Sequence, residues 1–405
     1  MQPLLTQLLG LPGIEVEDYH DFGNKIIIEV EARTERATCP RCGHESSHLH
    51  QNHWYLVRDL DISQRQVWLK VNRRQFKCHS CGKPFSEELS FLGRRRKHTD
   101  RYATTIVQQV LHSDTHNVAV NNDLTDEEVW SMVKYRSKKK FDIELSNLKR
   151  IGIDEIALRK GQEEFVVVLV DLDSHKLIGM AKSRRQEDVR KVIEGWGSEV
   201  LQQIREVSID LSGNYKGLVH KILPNADIIA DRFHVMKLVS QELNVVRNSE
   251  IKANEENQDE VEKARVEAAL KQSKYALLKP EEKLTEKQKL KLKLVQEVSP
   301  LLANMHEQKE AFRDIFETAE NWKDGTLKLL DWLAQNQKIF QKSVGTICRW
   351  FGEVVGYFEN KTTSGVVEGI NNKLKLIKRS GYGFRNFENF QLRCLICWHL
   401  NTSSA

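Results

Sequence analysis

Two matched CxxC pairs, "CPRC" at 39–42 and "CHSC" at 78–81, restrict the first part of this chain more than any other feature. A glycine follows each pair (Gly43 and Gly82) and supplies the positive φ of a knuckle that turns two thiols toward one point. Two knuckles carried on strands make a zinc ribbon, with Cys39, Cys42, Cys78 and Cys81 as ligands of one structural Zn2+. The intervening segment also holds His44, His48, His50 and His53, and one of these could replace a cysteine. Four cysteines is the favoured set. The chain has seven cysteines, an odd number, so the paired spacing points to metal and not to disulfides.

The segments around the knuckles read as strands: "KIIIEVEAR" alternates apolar and polar residues, and "VWLKVNRRQFKC" leads into the second pair. From Arg58 to Arg101 there are twelve Lys/Arg against five Asp/Glu, although the whole chain carries only +5. "RRRK" (Arg94, Arg95, Arg96, Lys97) and "KKK" at 138–140 are the densest runs and suit phosphate contact, with a solvated face as the plain alternative. Residues 99–113 have helical periodicity, and Thr125 with Glu128 forms a capping-box pattern that should start a helix presenting Lys134, Arg136 and Lys138 near its end. Three short helices fit a helix-turn-helix, a helical linker being the alternative. With 40% hydrophobic and 29% charged residues, no charge-free apolar span and no secretory signal, a cytoplasmic protein is expected.

From residue 150 the pattern changes. "RIGIDE", "EEFVVVLVDLD" and "KLIGMAKS" read as hairpin-connected strands, followed by helix, "EVSIDLSGNY", helix and "ADIIADRFHV". The order β-β-β-α-β-α-β is that of the ribonuclease-H-like fold, an α/β sheet in which the first and fourth strands are neighbours. After Val235 the chain turns helical. Residues 250–295 read as a coiled-coil-like or solvated hairpin, and Trp322, Trp332 and Trp350 as core. Cys394 and Cys397 lie in an apolar helix and read as structural thiols.

Neighbouring first and fourth strands would set Asp154 and Asp210 side by side, with Glu368 reaching them from the start of a later helix. Such a cluster is costly as a core feature and sensible as a ligand set for two Mg2+ (or Mn2+) ions, because hard cations take oxygen ligands. Asp231 in "ADRFHV" is the rival for the second position and otherwise, with His234, a supporting or DNA-contacting residue. Glu359 is the rival third carboxylate. Glu155, Asp171 and Asp173 read as exposed turn residues. Lys375 lies two helical turns after Glu368 on the same face and could meet a DNA phosphate, with Arg379 and Arg385 extending the basic surface.

"GIDE", "VSID", "ADRFHVMK", "VEGINNKLKLIKRSGYGFRNFENF" and the double CxxC, in this order, resemble the bacterial insertion-sequence DDE transposases of the ISL-three group over nearly the whole chain. The resemblance implies a zinc ribbon and helix-turn-helix for the element's terminal inverted repeats, then a ribonuclease-H-like domain interrupted by an all-α insertion. It also implies Mg2+-dependent cutting at the element ends and joining of the 3′-hydroxyls to target DNA. Carried over, the triad falls on Asp154, Asp210 and Glu368. The expected divisions are 1–92 (strands and ribbon), 93–148 (helix-turn-helix), 149–239 and 359–405 (catalytic), and 240–358 (insertion). A homodimer in the synaptic complex and a bacterial, nucleoid-associated location are further expectations. A DNA-binding regulator without catalysis is the alternative function.

Overall fold

The computed structural model describes residues 2–140, 143–158, 164–362, 365–381, 383–384 and 386–400, apart from the side chains of 138–140. It divides into two compact units, Met1–Asp142 with Glu388–Ala405, and Ile143–Phe387. The C-terminal helix Phe387–His399, expected with the catalytic segment 359–405, thus clusters from Glu388 onward with the N-terminal unit. The cause is local packing: Ile396 is buried among Ile106, Val110, Val129 and Val133. The buried Arg393 also donates to the carbonyls of Leu111 (3.2 Å) and Ser113 (3.4 Å), which end the helix Asp100–His112.

The N-terminal unit is built on a four-stranded sheet in the order Ile14–Asp21, Lys25–Ala32, Arg65–Asn72, Trp54–Ile62. Strand Lys25–Ala32 buries alternate residues, so Ile26, Ile28 and Val30 meet Val57, Val67, Leu69 and Val71 in one core. Three helices follow: Asp100–His112, Thr115–Asn121 and Asp126–Lys140. The last begins as its sequence requires. Thr125 N–H donates to Glu128 (2.9 Å) and Glu128 N–H donates to the Thr125 hydroxyl (3.2 Å), a reciprocal cap. The buried Asp59 ties the sheet to the first helix by accepting from the Thr99 hydroxyl (2.7 Å) and Arg101 Nε (2.8 Å).

The second unit is centred on a five-stranded sheet in the order Lys176–Ala181, Phe165–Asp171, Arg150–Ala157, Glu206–Ile209, Asp227–Ala230. The first three strands pair antiparallel and the last two extend the sheet in parallel. "FVVVLVD" is apolar without alternation because both faces of that strand are covered. Helix Gly365–Ser380 packs on one face of Arg150–Ala157. A Cβ at Gly152 would sit 2.7 Å from Val367 Cγ2, so only glycine permits this approach.

From Arg232 the chain forms eight successive α-helices before Asn360, and they share one continuous core with the sheet. Phe312, Phe316, Phe340 and Phe358 are fully buried there, each contributing about 1.5–3 kcal/mol by burial. Residues 250–295 are not a solvated hairpin: Leu270, Leu277, Leu292 and Val295 on short separate helices enter that core. Trp332 and Trp350 are buried as expected, whereas Trp322 is 50% exposed, because it opens its helix where the chain emerges into solvent. Among the described residues no helix is long and apolar enough to cross a membrane.

Candidate zinc centre and candidate active site

The two knuckles are built alike. Gly43 N–H donates to Cys39 O (2.9 Å) and Cys39 N–H to His44 O (2.9 Å); Gly82 N–H donates to Cys78 O (3.0 Å) and Cys78 N–H to Lys83 O (3.0 Å). Both glycines have positive φ, 75° and 66°. Sγ of Cys39 lies 3.8 Å from that of Cys81, and Cys42 lies 3.5 Å from Cys78. A tetrahedral ion with Zn–S bonds of about 2.3 Å requires edges of about 3.8 Å, so the set fits structural Zn2+. The Cys81 backbone N–H pulls the Cys78 thiol down to about 7 while the adjoining Cys42 is pushed up to about 11, so the two thiols share a proton that a metal ion would displace. The histidines take no part: among the described residues the four cysteines are the one group of three or more whose ligand atoms all lie within 4.8 Å of one another.

In the five-stranded sheet, register does what proximity in sequence cannot. Ile153 pairs with Ile209, and Ile209 with Ala230, as the last partners of the parallel ladders. The next residue on each strand path is an aspartate, so Asp154, Asp210 and Asp231 form a row: Asp210 and Asp231 directly follow the ends of their strands, and Asp154 lies within the longer strand Arg150–Ala157, where its parallel pairing stops. Their surroundings differ. Asp231 caps helix Arg232–Glu255 by accepting from Phe233 N–H (2.9 Å). Asp154 accepts from Asn371 Nδ2 (2.6 Å) and Glu155 N–H (2.7 Å). His234 Nε2 stands between them, 3.9 Å from Asp154 and 3.8 Å from Asp231. Asp210 Oδ1 is buried with no hydrogen-bond partner. Burial lifts the Asp210 pKa to about 6, opposed by His234 and reinforced by Glu155 and Asp154.

Glu368 lies in the first turn of helix Gly365–Ser380, exposed, one turn before the Asn371 that holds Asp154. The ligand atoms of Asp154, Asp210 and Glu368 do not all fall within 4.8 Å of one another. Glu359 is at the other end of the sheet. Its neighbour Asn360 bonds Glu206, which starts the strand that ends before Asp210, about 13 Å away at 3.3 Å per residue. Glu155 is not an exposed turn residue: it is half-buried within its strand and accepts from the Tyr215 hydroxyl (2.5 Å) on the opposite sheet face. Asp171 is likewise buried and accepts from Asp173 N–H (2.9 Å), while Asp173 itself pairs with Arg150 (2.8 Å). Asn371 and Tyr215 were missed from sequence. Asn371 at Glu368 + 3 was the available signal.

The basic residues separate by environment. Arg94, Arg95, Lys97, Lys134, Lys375 and Arg379 are exposed. Arg136 is 6% exposed and lies 3.8 Å from Asp100, so it is an internal ion pair and not a DNA contact. Arg96 is half-buried, bonded to the Ser131 hydroxyl (2.7 Å) and stacked 4.5 Å over Tyr135, which makes it a strut for its loop. The Lys138 side chain and Arg385 lie outside the described residues. Cys394 is buried, and Arg393 Nη1 lies 2.8 Å from Cys397 Sγ.

A four-cysteine site suited to Zn2+ and a row of aspartates where parallel strand pairing stops are together in one chain, and comparison with known families says what class of protein combines them. The family model described as "Transposase" matches residues 151–394, and one described as the zinc finger of the IS204/IS1001/IS1096/IS1165 transposases matches residues 35–81. The chain belongs to the DDE transposases of the ISL3 group, enzymes that bind DNA. It is similar to the transposase for insertion sequence element IS1001 of Bordetella parapertussis, 28% identical over 96% of each chain. It is also similar to the transposase for IS1557 of Mycobacterium tuberculosis (strain CDC 1551 / Oshkosh), 26% identical over 91% of this chain and 88% of the relative.

Proposed function

We propose that this transposase binds the terminal inverted repeats of its own insertion sequence, cuts the DNA at the element ends and joins the 3′-hydroxyls to target DNA. The observation that carries the reading is the row of aspartates faced by the helix that bears Glu368. The five-stranded sheet is then a ribonuclease-H-like catalytic domain and the three helices from Asp100 to Lys140 a helix-turn-helix. Asp154, Asp210 and Glu368 form the triad. Asp231 is the weaker claimant because its strand is one removed from that of Asp154, whereas the strand before Asp210 adjoins it, and Glu359 because it lies at the far end of the strands.

The triad would hold two Mg2+ (or Mn2+) ions. Asp210 supports this, with a buried oxygen lacking a partner and a carboxyl whose ionisation is suppressed until a cation compensates it. A two-ion site also spreads its ligands more widely than a single ion does. When bound, such ions supply the Lewis acidity for in-line displacement at phosphorus. Asn371 orients Asp154 through its amide, and His234 spans Asp154 and Asp231. Arg94, Arg95, Lys97, Lys134, Lys375 and Arg379 contact phosphates. Two protomers synapse the two ends, at the nucleoid in the cytoplasm.

The second reading, a DNA-binding regulator without catalysis, draws on the separation of the three carboxylates. The test is a labelled duplex carrying the element's end, with Mg2+, for wild type, Glu368→Gln, Asp210→Asn and Asp231→Asn. Nicking at the element boundary by wild type, with Glu368→Gln and Asp210→Asn binding normally but losing at least about a hundredfold in cleavage, supports the triad. Loss in Asp231→Asn with activity retained in Asp210→Asn reverses that choice. Tight binding without cutting by wild type favours the regulator.

A further inference from the structure

Within the N-terminal unit a cleft of about 1090 Å³ opens between the zinc ribbon and the loop that leads into the three helices. Its floor is set by strand register. Tyr55 pairs with Val71, so Arg73, two residues further along, lies diagonally beside Tyr55 on the same face. Arg74 points the other way, where it is clamped by the buried Glu87 at 2.7 Å. This splits "RR" into one arginine consumed by the fold and one facing the cleft. Tyr55 Oη and Arg73 Nε, both lining the cleft, are buried atoms without a hydrogen-bond partner. Arg73 Nη2 makes one long contact to Leu92 O, 3.5 Å. At the rim stand Arg94, Arg95 and Lys97, with Arg41 opposite them on the first zinc knuckle, all exposed. Glu87 is neutralised by Arg74, which leaves Glu88 as the exposed carboxylate of the cleft. The zinc site therefore does more than fold a ribbon: it fixes Arg41 as one wall of a basic cleft.

We propose that this cleft is a DNA-backbone clamp in which Arg73 and Tyr55 at the floor and Arg41 at the rim hold a phosphodiester of the bound duplex. None of the three stood out in the sequence, and the proposal rests on the transposase reading for the identity of the polyanion. Two unsatisfied donors beneath a cationic rim suit an anion. Contacts of this kind position DNA without reading its sequence. Each neutralised phosphate adds about 0.9 to the slope of log K against log salt.

The experiment is fluorescence anisotropy with the full chain, zinc-loaded, on an element-end duplex and a scrambled duplex of equal length, from about 50 to about 200 mM salt. Arg73→Gln should weaken both duplexes by about tenfold and lower the salt slope by about one, with Arg73→Lys restoring the slope. Tyr55→Phe should weaken both several-fold with the slope unchanged, since it removes a neutral donor. Arg41→Gln is exposed and safe for folding, so its slope decides the matter if zinc content shows that Arg73→Gln has misfolded. Unchanged slopes and affinities in these variants, or a loss confined to the element end, would overturn the clamp. Cleavage by wild type is scored in parallel. If wild type binds without cutting, the catalytic reading fails while the slopes still decide the clamp.

Discussion

Replacing Asp210 by asparagine removes a carboxylate whose pKa burial lifts from 3.8 to about 6, with His234 opposing the rise and Glu155 and Asp154 adding to it. A rise of about two units corresponds to at most about 3 kcal/mol at about 1.36 kcal/mol per unit. The carboxylate is partly open to solvent, and screening reduces this to about 1–2 kcal/mol. Below the unfolded pKa of 3.8 the group is protonated in both states and costs nothing. Between there and about 6 the folded chain binds the proton more tightly, so stability falls as pH rises, and above about 6 the whole penalty is present. Asparagine carries no such charge. With zinc-loaded protein in buffer free of Mg2+ at about pH 7.5, Asp210→Asn should therefore melt about 2–8 °C above wild type, at about 2–4 °C per kcal/mol, and the gap should close near pH 4. Scanning calorimetry across this pH range is the assay. Added Mg2+ should raise the transition of wild type and leave the variant unmoved. Equal melting near pH 7.5, or a gap that persists at pH 4, would refute the idea that Asp210 is a desolvated carboxylate awaiting a cation.

Cys78→Ser should bind less than one equivalent of zinc and lose DNA binding, while circular dichroism of the helix-rich second unit stays near wild type; retention of a full equivalent by metal analysis would contradict the four-cysteine site. Gly152→Ala places a methyl 2.7 Å from Val367 Cγ2 and should push helix Gly365–Ser380 from its strand. The expected outcome is a cost of about 1–3 kcal/mol in unfolding experiments and a drop in cleavage without a matching drop in end binding.

Much of this molecule was legible in the sequence because its signals are local. The CxxC–Gly knuckles fix their own turn geometry, and the Thr125–Glu128 cap satisfies its own backbone donors within one helical turn. The unbroken apolar run at 165–170 announces a strand covered on both faces. Pattern alone also placed the first and fourth catalytic strands side by side, because a crossover through a helix leaves few alternatives. Fates set by residues far along the chain were beyond such reasoning. Arg136 looks like part of a basic run until Asp100 folds against it, and Glu155 looks like a turn carboxylate until Tyr215 arrives from the other face. Trp322 carries the same apolar content as Trp332 and yet faces solvent. Sequence order already favoured Asp154 and Asp210 over Asp231; the surroundings of the three belong to the tertiary structure. Parallel register makes the three equivalent in position, and only what surrounds each one (an asparagine, an empty buried oxygen or a helix cap) makes them different in chemistry. Sequence determined which groups this protein has to work with; long-range packing decided which are left unsatisfied, and an unsatisfied buried group is what a ligand can bind.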